Sequence, residues 1–224
     1  MIMPERTLSI ELPDVNLEAD LAVPASARGL VVFAHGSGSS RRSSRNRAVA
    51  SVLQTRGFGT LLFDLLSARE DQNHAQRFDI AKLTERLLGV TRWVQRQPEL
   101  LELPLAYFGA STGAGAALVA AANLGEQISA VVSRGGRPDL AGDSLPRVRA
   151  PTLLIVGGAD EPVISLNQRA FEHLRCSKRM TIIPGATHLF EEPGAIEEVA
   201  ALASSWFGLH AHSPASPLIT AAKG

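Results

Sequence analysis

The sequence predicts a single α/β domain, built on a mostly parallel β-sheet with helices on both faces. Several short segments are continuously apolar, which is typical of strands that are buried on both faces. Amphipathic stretches with helical spacing alternate with these segments, as they do in β–α–β units. The chain of 224 residues, 45% hydrophobic and 20% charged, is long enough to bury one substantial core.

The strands fall into two groups. The chain begins with two alternating segments, TLSIEL and LEADLAV, separated by Pro13 and Asp14, which predicts an antiparallel pair. The continuously apolar segments that follow predict buried parallel strands, to give about eight strands in all; they are GLVVFAHG, GTLLFD, LPLAYFGA, ISAVVSRG, PTLLIVGG and RMTIIPG.

Helical patterns fill the intervals between the apolar segments, and they cover residues 46–56, 80–94, 111–124, 166–174 and 195–207. We see no internal repeat and no change of composition before residue 207, so we expect one domain over residues 1–207. Residues 208–224 are rich in Pro, Ser and Ala, and we expect a flexible tail there.

Composition excludes several functional classes. The formal net charge is zero, which gives no reason to expect a nucleic-acid or membrane partner. A lone cysteine, Cys176, rules out an intramolecular disulfide, and no cluster of His, Asp and Glu has the spacing of metal ligands, so we expect neither a metal nor a cofactor. Glu5, Arg6 and Glu11 interrupt the apolar core that a signal peptide would need, and no apolar run approaches the ~20 residues of a membrane span. We therefore expect a soluble cytoplasmic protein.

A candidate nucleophile lies where one apolar strand meets a helix. Residues Gly109 to Gly113, GASTG, match the pattern G-x-S-x-G directly after the strand, with Ser111 at the turn. In such a turn small neighbours relieve the crowding, and the N-terminus of the helix favours developing negative charge. The pattern alone is weak in a chain rich in Gly and Ser, and a well-packed turn without chemistry is the alternative.

The order of the remaining candidates favours catalysis. Asp160 follows the strand TLLIVGG, and His188 follows the next strand, MTIIPG. A serine nucleophile needs a general base, and that base needs an acid to orient it. All three residues follow strands, at the edge of the sheet where α/β proteins bind ligands. Asp64 and Asp139 remain alternative acids.

With these residues the sequence resembles the α/β-hydrolase superfamily over roughly residues 7–207. Within it, the chain is similar to small dienelactone-hydrolase-like proteins on VVFAHGSGSS, FGASTGAGAAL, RGGRPDLAG, LLIVGGADEPV and GATHLFEEPG. The resemblance implies the α/β-hydrolase fold, with Ser111 as nucleophile, His188 as general base and Asp160 as orienting acid. Dienelactone hydrolases use a cysteine nucleophile, whereas the cysteine of this chain, Cys176, falls late in a helix. The departure indicates serine chemistry on a substrate other than dienelactone.

The resemblance also implies an oxyanion hole made of backbone N–H groups. One donor is Thr112, the residue after the nucleophile, and the other is Ser37 in the loop HGSGSS after the first central strand. Only about fifteen residues, 137–150, separate the strand ISAVVSRG from the next, too few for a cap domain. We expect an open pocket, with residues 65–78 as a mobile loop over it.

Arginines just past the oxyanion loop, in SSRRSSRNR, suggest a solvated helix start or an anion site. In the second interpretation Arg41 or Arg42 (or Arg45 or Arg47), with Arg134 or Arg137, binds an anionic group of the substrate. The sequence thus predicts a cap-less serine hydrolase that cleaves a small ester, lactone or thioester through an acyl-enzyme. An acyltransferase with the same triad, or a catalytically silent binding protein on this fold, are the alternatives, and the chain could be a monomer or a homodimer.

Overall fold

A computed structural model describes residues 5–211, which contain eight strands and six α-helices. The strands are β1 (Arg6–Leu12), β2 (Val15–Ala22), β3 (Leu30–Ala34), β4 (Gly59–Phe63), β5 (Leu105–Ala110), β6 (Ile128–Arg134), β7 (Thr152–Gly157) and β8 (Lys178–Ile183). The helices are α1 (Ser44–Thr55), α2 (Ala68–Asp71), α3 (Ile80–Val94), α4 (Thr112–Leu124), α5 (Glu161–His173) and α6 (Ala195–His210).

One sheet contains all eight strands, in the order β1-β2-β4-β3-β5-β6-β7-β8. The first pair is antiparallel, as the sequence predicts, and β2 also lies antiparallel to β4. From β4 onwards every neighbouring pair is parallel. The predicted mostly parallel α/β fold is confirmed. After β3 the chain first adds β4 on one side and then crosses over to add β5 on the other side. Where the direction of strand addition changes in this way, a crevice opens at the carboxyl ends of the strands.

Two apolar layers, one on each face of the sheet, form the core. In β3, Val32 belongs to the layer under α3 and α4, and its neighbours Val31 and Phe33 belong to the layer under α1 and α6. Successive side chains of a strand point to opposite faces, so a strand covered on both faces needs an apolar residue at every position. The continuous apolar runs of β3 to β7 follow from this arrangement, whereas β8 is an edge strand and, contrary to the expectation of a buried strand, only its Ile183 is fully buried.

Several boundaries differ from the sequence-based expectations. Helix α5 begins at Glu161 rather than near residue 166, and α6 continues to His210, so the first residues of the predicted tail are helical. Residues 212–224 lie outside the described part of the chain. Residues 65–78, expected to be a loop, contain helix α2 and a 3₁₀ turn at Gln76–Phe78. A capping box between Ser67 and Glu70 starts α2.

Between β6 and β7 the chain forms two short 3₁₀ stretches within Pro138–Arg147, separated by a kink at Gly142. No cap domain is inserted at this point, which leaves the carboxyl edge of the sheet open. In the part of the chain that the structure describes, no helix is both long and apolar enough to cross a membrane.

Candidate active site

Ser111 lies in a strained turn between β5 and α4. Its φ of 49° and ψ of −124° put a non-glycine residue in the positive-φ region, which L-residues avoid. The turn is held by its backbone, because the Ser111 N–H donates to the carbonyl oxygen of Arg134 (3.3 Å) and the Ser111 carbonyl accepts from the N–H of Arg137 (3.0 Å). The surrounding structure therefore fixes the serine at the edge of the sheet.

The nucleophile turn and the loop after β3 approach each other so closely that each of them needs a glycine at the contact. A Cβ at Gly113 would overlap the carbonyl oxygens of Ala34 and His35, and a Cβ at Gly36 would lie 2.8 Å from the Cβ of Ser111. The loop after β3 thus packs directly against the nucleophile turn. This packing explains why small residues flank Ser111 in the sequence.

His188 and Asp160 form a pair close to this edge. Asp160 is the N-cap residue of α5, but its side chain does not cap the helix; its Oδ2 lies 2.7 Å from Nδ1 of His188. The carboxylate is mostly buried and the imidazole is partly exposed, at 13% and 38% of their side-chain surfaces. An ionised carboxylate only accepts hydrogen bonds, so it holds a proton on Nδ1 and leaves Nε2 free to accept one.

The loop that carries His188 is anchored on both sides. The carbonyl of Ala186 accepts from the N–H of Ala159 (2.9 Å), and Phe190 is buried with a positive φ of 55°. Within residues 5–211 no hydrogen bond joins Ser111 Oγ to His188. Such bonds are often long in free enzymes and shorten when substrate binds.

The two predicted oxyanion donors lie side by side. The Ser37 N–H donates to the Thr112 hydroxyl (2.9 Å), so Ser37 is in contact with the first residue of α4. His35 fixes this loop, because its Nε2 accepts from the N–H of Leu65 (2.9 Å) and its Nδ1 therefore donates to the carbonyl of Gly36 (2.9 Å). Burial lowers the pKa of His35, which keeps the ring in the neutral form that both bonds need.

The two alternative acids have other partners. Asp64 accepts from the backbone N–H of Arg41 (2.7 Å) and pairs with its guanidinium (2.9 Å). Asp139 binds the guanidinium of Arg137 through both oxygens, at 2.9 and 2.8 Å. Neither carboxylate contacts His188, so the geometry favours Asp160 as the acid.

The candidate substrate-binding arginines differ in how far they are neutralised. Arg41 is buried against Asp64, Asp20 and Glu18, and this ion-pair cluster occupies its guanidinium. Arg42 is exposed and lines, with Ser43, a polar cavity of about 410 Å³ that adjoins the oxyanion loop. Arg134 is buried, and within the described residues its guanidinium makes a single hydrogen bond, to Oδ1 of Asn46 (3.2 Å). Among the described residues no group of three His, Cys, Asp or Glu side chains could hold a metal ion.

Sequence reasoning missed several residues at this edge. Phe190 fixes the histidine loop, Glu191 pairs with Arg45 (2.8 Å), and Asn46 meets Arg134. No local pattern identifies these residues, since each contact joins segments that are far apart in the chain. The capping box at Ser67 was detectable, because Glu70 follows it at the required spacing of three.

Comparison with known proteins gives a family and close relatives. Residues 17–209 match the model of the dienelactone hydrolase family. A solved structure of a dienelactone hydrolase from Anabaena variabilis is 55% identical, with a TM-score of 0.90 over 93% of this chain and 99% of that one. Est1E from Butyrivibrio proteoclasticus shares the fold, with a TM-score of 0.77 at 18% identity over 91% of this chain and 97% of that one.

The curated relatives are longer than this chain. Proteins of two Mycobacterium tuberculosis strains, provisionally named phosphoribosyl transferase, are 60% identical over 200 residues. The match covers 89% of this chain but 45% of each relative. The chain therefore spans about half the length of the curated relatives that it matches.

Proposed function

The chain belongs to the dienelactone hydrolase family, and we propose that it is a serine hydrolase that cleaves a small carboxylic ester, lactone or thioester through an acyl-enzyme. Family and neighbours support hydrolase activity. The observation that carries the finer proposal is the joint geometry at the sheet edge. Ser111 occupies a strained turn, while the His188–Asp160 pair, at 2.7 Å, lies on the neighbouring loops.

In the proposed mechanism each group acts at a stated atom. Ser111 Oγ attacks the carbonyl carbon while Nε2 of His188 takes the hydroxyl proton, and Asp160 stabilises the resulting imidazolium. The tetrahedral intermediate collapses when His188 returns the proton to the leaving alcohol or thiol. Water, deprotonated by the same histidine, then attacks the acyl-enzyme and releases the acid.

The proposed oxyanion hole consists of the backbone N–H groups of Ser37 and Thr112. In the unliganded site the Ser37 N–H donates to the Thr112 hydroxyl, which holds the two donors next to each other. A substrate oxyanion would share the Ser37 N–H with that hydroxyl, which keeps the loop in place during the reaction. Loss of one such donor typically costs about 100- to 1,000-fold in rate.

Hydrolysis of a panel of short-chain p-nitrophenyl esters tests the proposal, with Ser111→Ala as the matched variant. We expect turnover by the wild type and a loss of more than about 10³-fold in the variant. Product analysis with added alcohols separates the acyltransferase alternative, in which an alcohol ester would predominate over free acid. Absence of turnover on the whole panel would instead favour a silent binding protein.

The name of the curated relatives suggests a second candidate function, phosphoribosyl transfer. We propose that this activity belongs to the part of those proteins that the chain does not cover, since residues 17–209 match a hydrolase family. Incubation of the purified chain with phosphoribosyl diphosphate and a nucleobase should release no diphosphate. Release of diphosphate would contradict this division of roles.

We also propose a cytoplasmic location, because a half-buried, unpaired Cys176 suits a reducing compartment. Cell fractionation followed by immunoblotting tests this proposal. Recovery in the extracellular or membrane fraction would contradict it.

A further inference from the structure

Arg134, at the end of β6, is a buried cation with almost no partners. Its residue surface is 6% exposed, and its single hydrogen bond runs from Nη2 to Asn46. A guanidinium has five N–H donors, and here Nε is buried without any acceptor. Among residues 5–211 no carboxylate forms an ion pair with it.

The other well-buried arginines also have a buried Nε without a hydrogen bond, but each of them is paired with carboxylates. Arg41 pairs with Asp64 and Asp20, and Arg86 pairs with Asp14 and Glu70. A buried charge is costly unless an opposite charge and hydrogen bonds compensate it. Burial, with a contribution from the nearby Arg45, lowers the pKa of Arg134 to about 10, so the group is still a cation at neutral pH.

The surroundings of Arg134 are positive on balance. Its guanidinium lies 5.6 Å from the ring centroid of Phe190 and contacts Asn46 in the first turn of α1. Arg45, the chain neighbour of Asn46, is close enough to contribute to the lowered pKa of Arg134, and it forms an ion pair of 2.8 Å with Glu191, the chain neighbour of Phe190. Glu191 pairs with Arg45 and not with Arg134, so this region holds two guanidinium groups and one carboxylate.

Helix α1 adds to this positive potential. Its first turn contains no acidic residue, and its N-terminus, like that of any helix, carries a partial positive charge. Twelve residues make it long enough for that dipole to develop. Arg134 reaches this terminus through Asn46, so a buried, under-satisfied cation and a helix N-terminus meet at one place.

This place adjoins the proposed catalytic residues. The backbone carbonyl of Arg134 accepts the N–H of Ser111. Gly135, the next residue, approaches the histidine loop so closely that a Cβ there would lie 3.1 Å from the His188 carbonyl oxygen. The backbone of residues 134 and 135 therefore borders both the nucleophile turn and the histidine loop, which places Arg134 next to the proposed catalytic residues.

We propose that Arg134, with Arg45 and the N-terminus of α1, binds a phosphate monoester group on the substrate. The proposal rests on the serine hydrolase function and specifies its substrate class, a phosphorylated ester. A phosphate dianion carries enough charge to neutralise both guanidiniums once Glu191 is displaced. Its oxygens also accept hydrogen bonds from several directions, which suits donors that lie on two elements, β6 and α1. Glu191 is 63% exposed and so is free to move aside.

Three matched acetate esters test the site: acetoxybutyl phosphate, the neutral acetoxybutanol and the carboxylate acetoxypentanoate. We expect the wild type to have its highest kcat/KM on the phosphate ester. The ratio of kcat/KM for the phosphate ester to that for the neutral ester should fall about 10- to 100-fold in Arg134→Met and in Arg45→Met, since each removes charge-assisted hydrogen bonds. Glu191→Gln should raise this ratio, and Arg149→Met, which alters an exposed arginine paired with Glu126, should leave it unchanged.

Binding supplies a readout that does not depend on catalysis. Titration calorimetry should show butyl phosphate binding to Ser111→Ala, and this binding should be lost when Arg134→Met is added. Thermal unfolding identifies any variant that fails to fold, and Arg45→Met then tests the same site alone. A wild type without preference for the phosphate ester, or with equal preference for the carboxylate ester, would overturn the proposal, as would equal losses on all three esters. If no ester is hydrolysed but butyl phosphate binds, the hydrolase function fails and the anion site stands.

Discussion

A methyl group at Gly36 tests whether the loop after β3 positions the nucleophile. A Cβ there would lie 2.8 Å from the Cβ of Ser111 and 3.2 Å from the carbonyl oxygen of Ala110. Optimal carbon–carbon contacts are about 3.5–4.0 Å, so Gly36→Ala must displace the loop or the serine by about 0.7–1.2 Å. A misplacement of about 1 Å near reacting groups can cost 10²-fold in rate. We expect kcat/KM for p-nitrophenyl acetate to fall about 100-fold.

The matched control is Gly208→Ala in α6. There a Cβ meets nothing closer than Nη2 of Arg28 at 3.8 Å, and alanine favours a helix over glycine by roughly 0.5–1 kcal/mol. Urea unfolding should show Gly208→Ala to be more stable with unchanged kcat/KM, and Gly36→Ala to lose about 1–3 kcal/mol from overpacking. A kcat/KM for Gly36→Ala within about threefold of the wild-type value would show that this loop does not position the nucleophile.

Three further substitutions test other parts of the site and fold. Asp160→Asn removes the carboxylate that fixes the proton on Nδ1 of His188, and kcat should fall about 10⁴-fold; a loss under tenfold would point to a different acid. Thr112→Val removes the hydroxyl that accepts the Ser37 N–H, and kcat should fall up to about tenfold. Thr112→Ser keeps a hydroxyl and should restore kcat. Equal losses in both variants would contradict a role for the hydroxyl. Burial raises the pKa of Glu70, but hydrogen bonds from Lys82, Ser67 and Arg86 outweigh it and lower the pKa to about 2 from its usual 4.5. The ionised Glu70 therefore contributes its full stabilisation above about pH 4.5, and this contribution is lost as the pH falls towards 2. The difference in unfolding free energy between wild type and Glu70→Gln should accordingly narrow in acid. A difference that does not change with pH would contradict this prediction.

The candidate triad could be located from the sequence because each member directly follows an apolar strand. Parallel strands bring their carboxyl ends to one edge, so the residues after β5, β7 and β8 lie at the same edge of the sheet, although 77 positions separate Ser111 from His188. The sheet itself was predictable for a related reason. Strands such as β3, buried on both faces, show the burial directly as continuous apolar runs.

Features that depend on distant pairing could not be predicted in the same way. The antiparallel contact of β2 with β4 follows from where the first hairpin docks, and the alternating pattern of β2 is the same for either neighbour. The positive φ of Phe190 has no sequence signal, because a bulky residue is the least expected there. The isolation of Arg134 appears only when Asn46 and Phe190 are placed around it.

Labelling with a fluorophosphonate probe, followed by mass spectrometry of the peptides, tests directly whether Ser111 is an activated nucleophile. An activated serine forms a covalent phosphonyl adduct, whereas an ordinary serine does not react. We expect a single adduct on Ser111 in the wild type, and none in Ser111→Ala. An unlabelled wild type, or an adduct that persists in the variant, would contradict this.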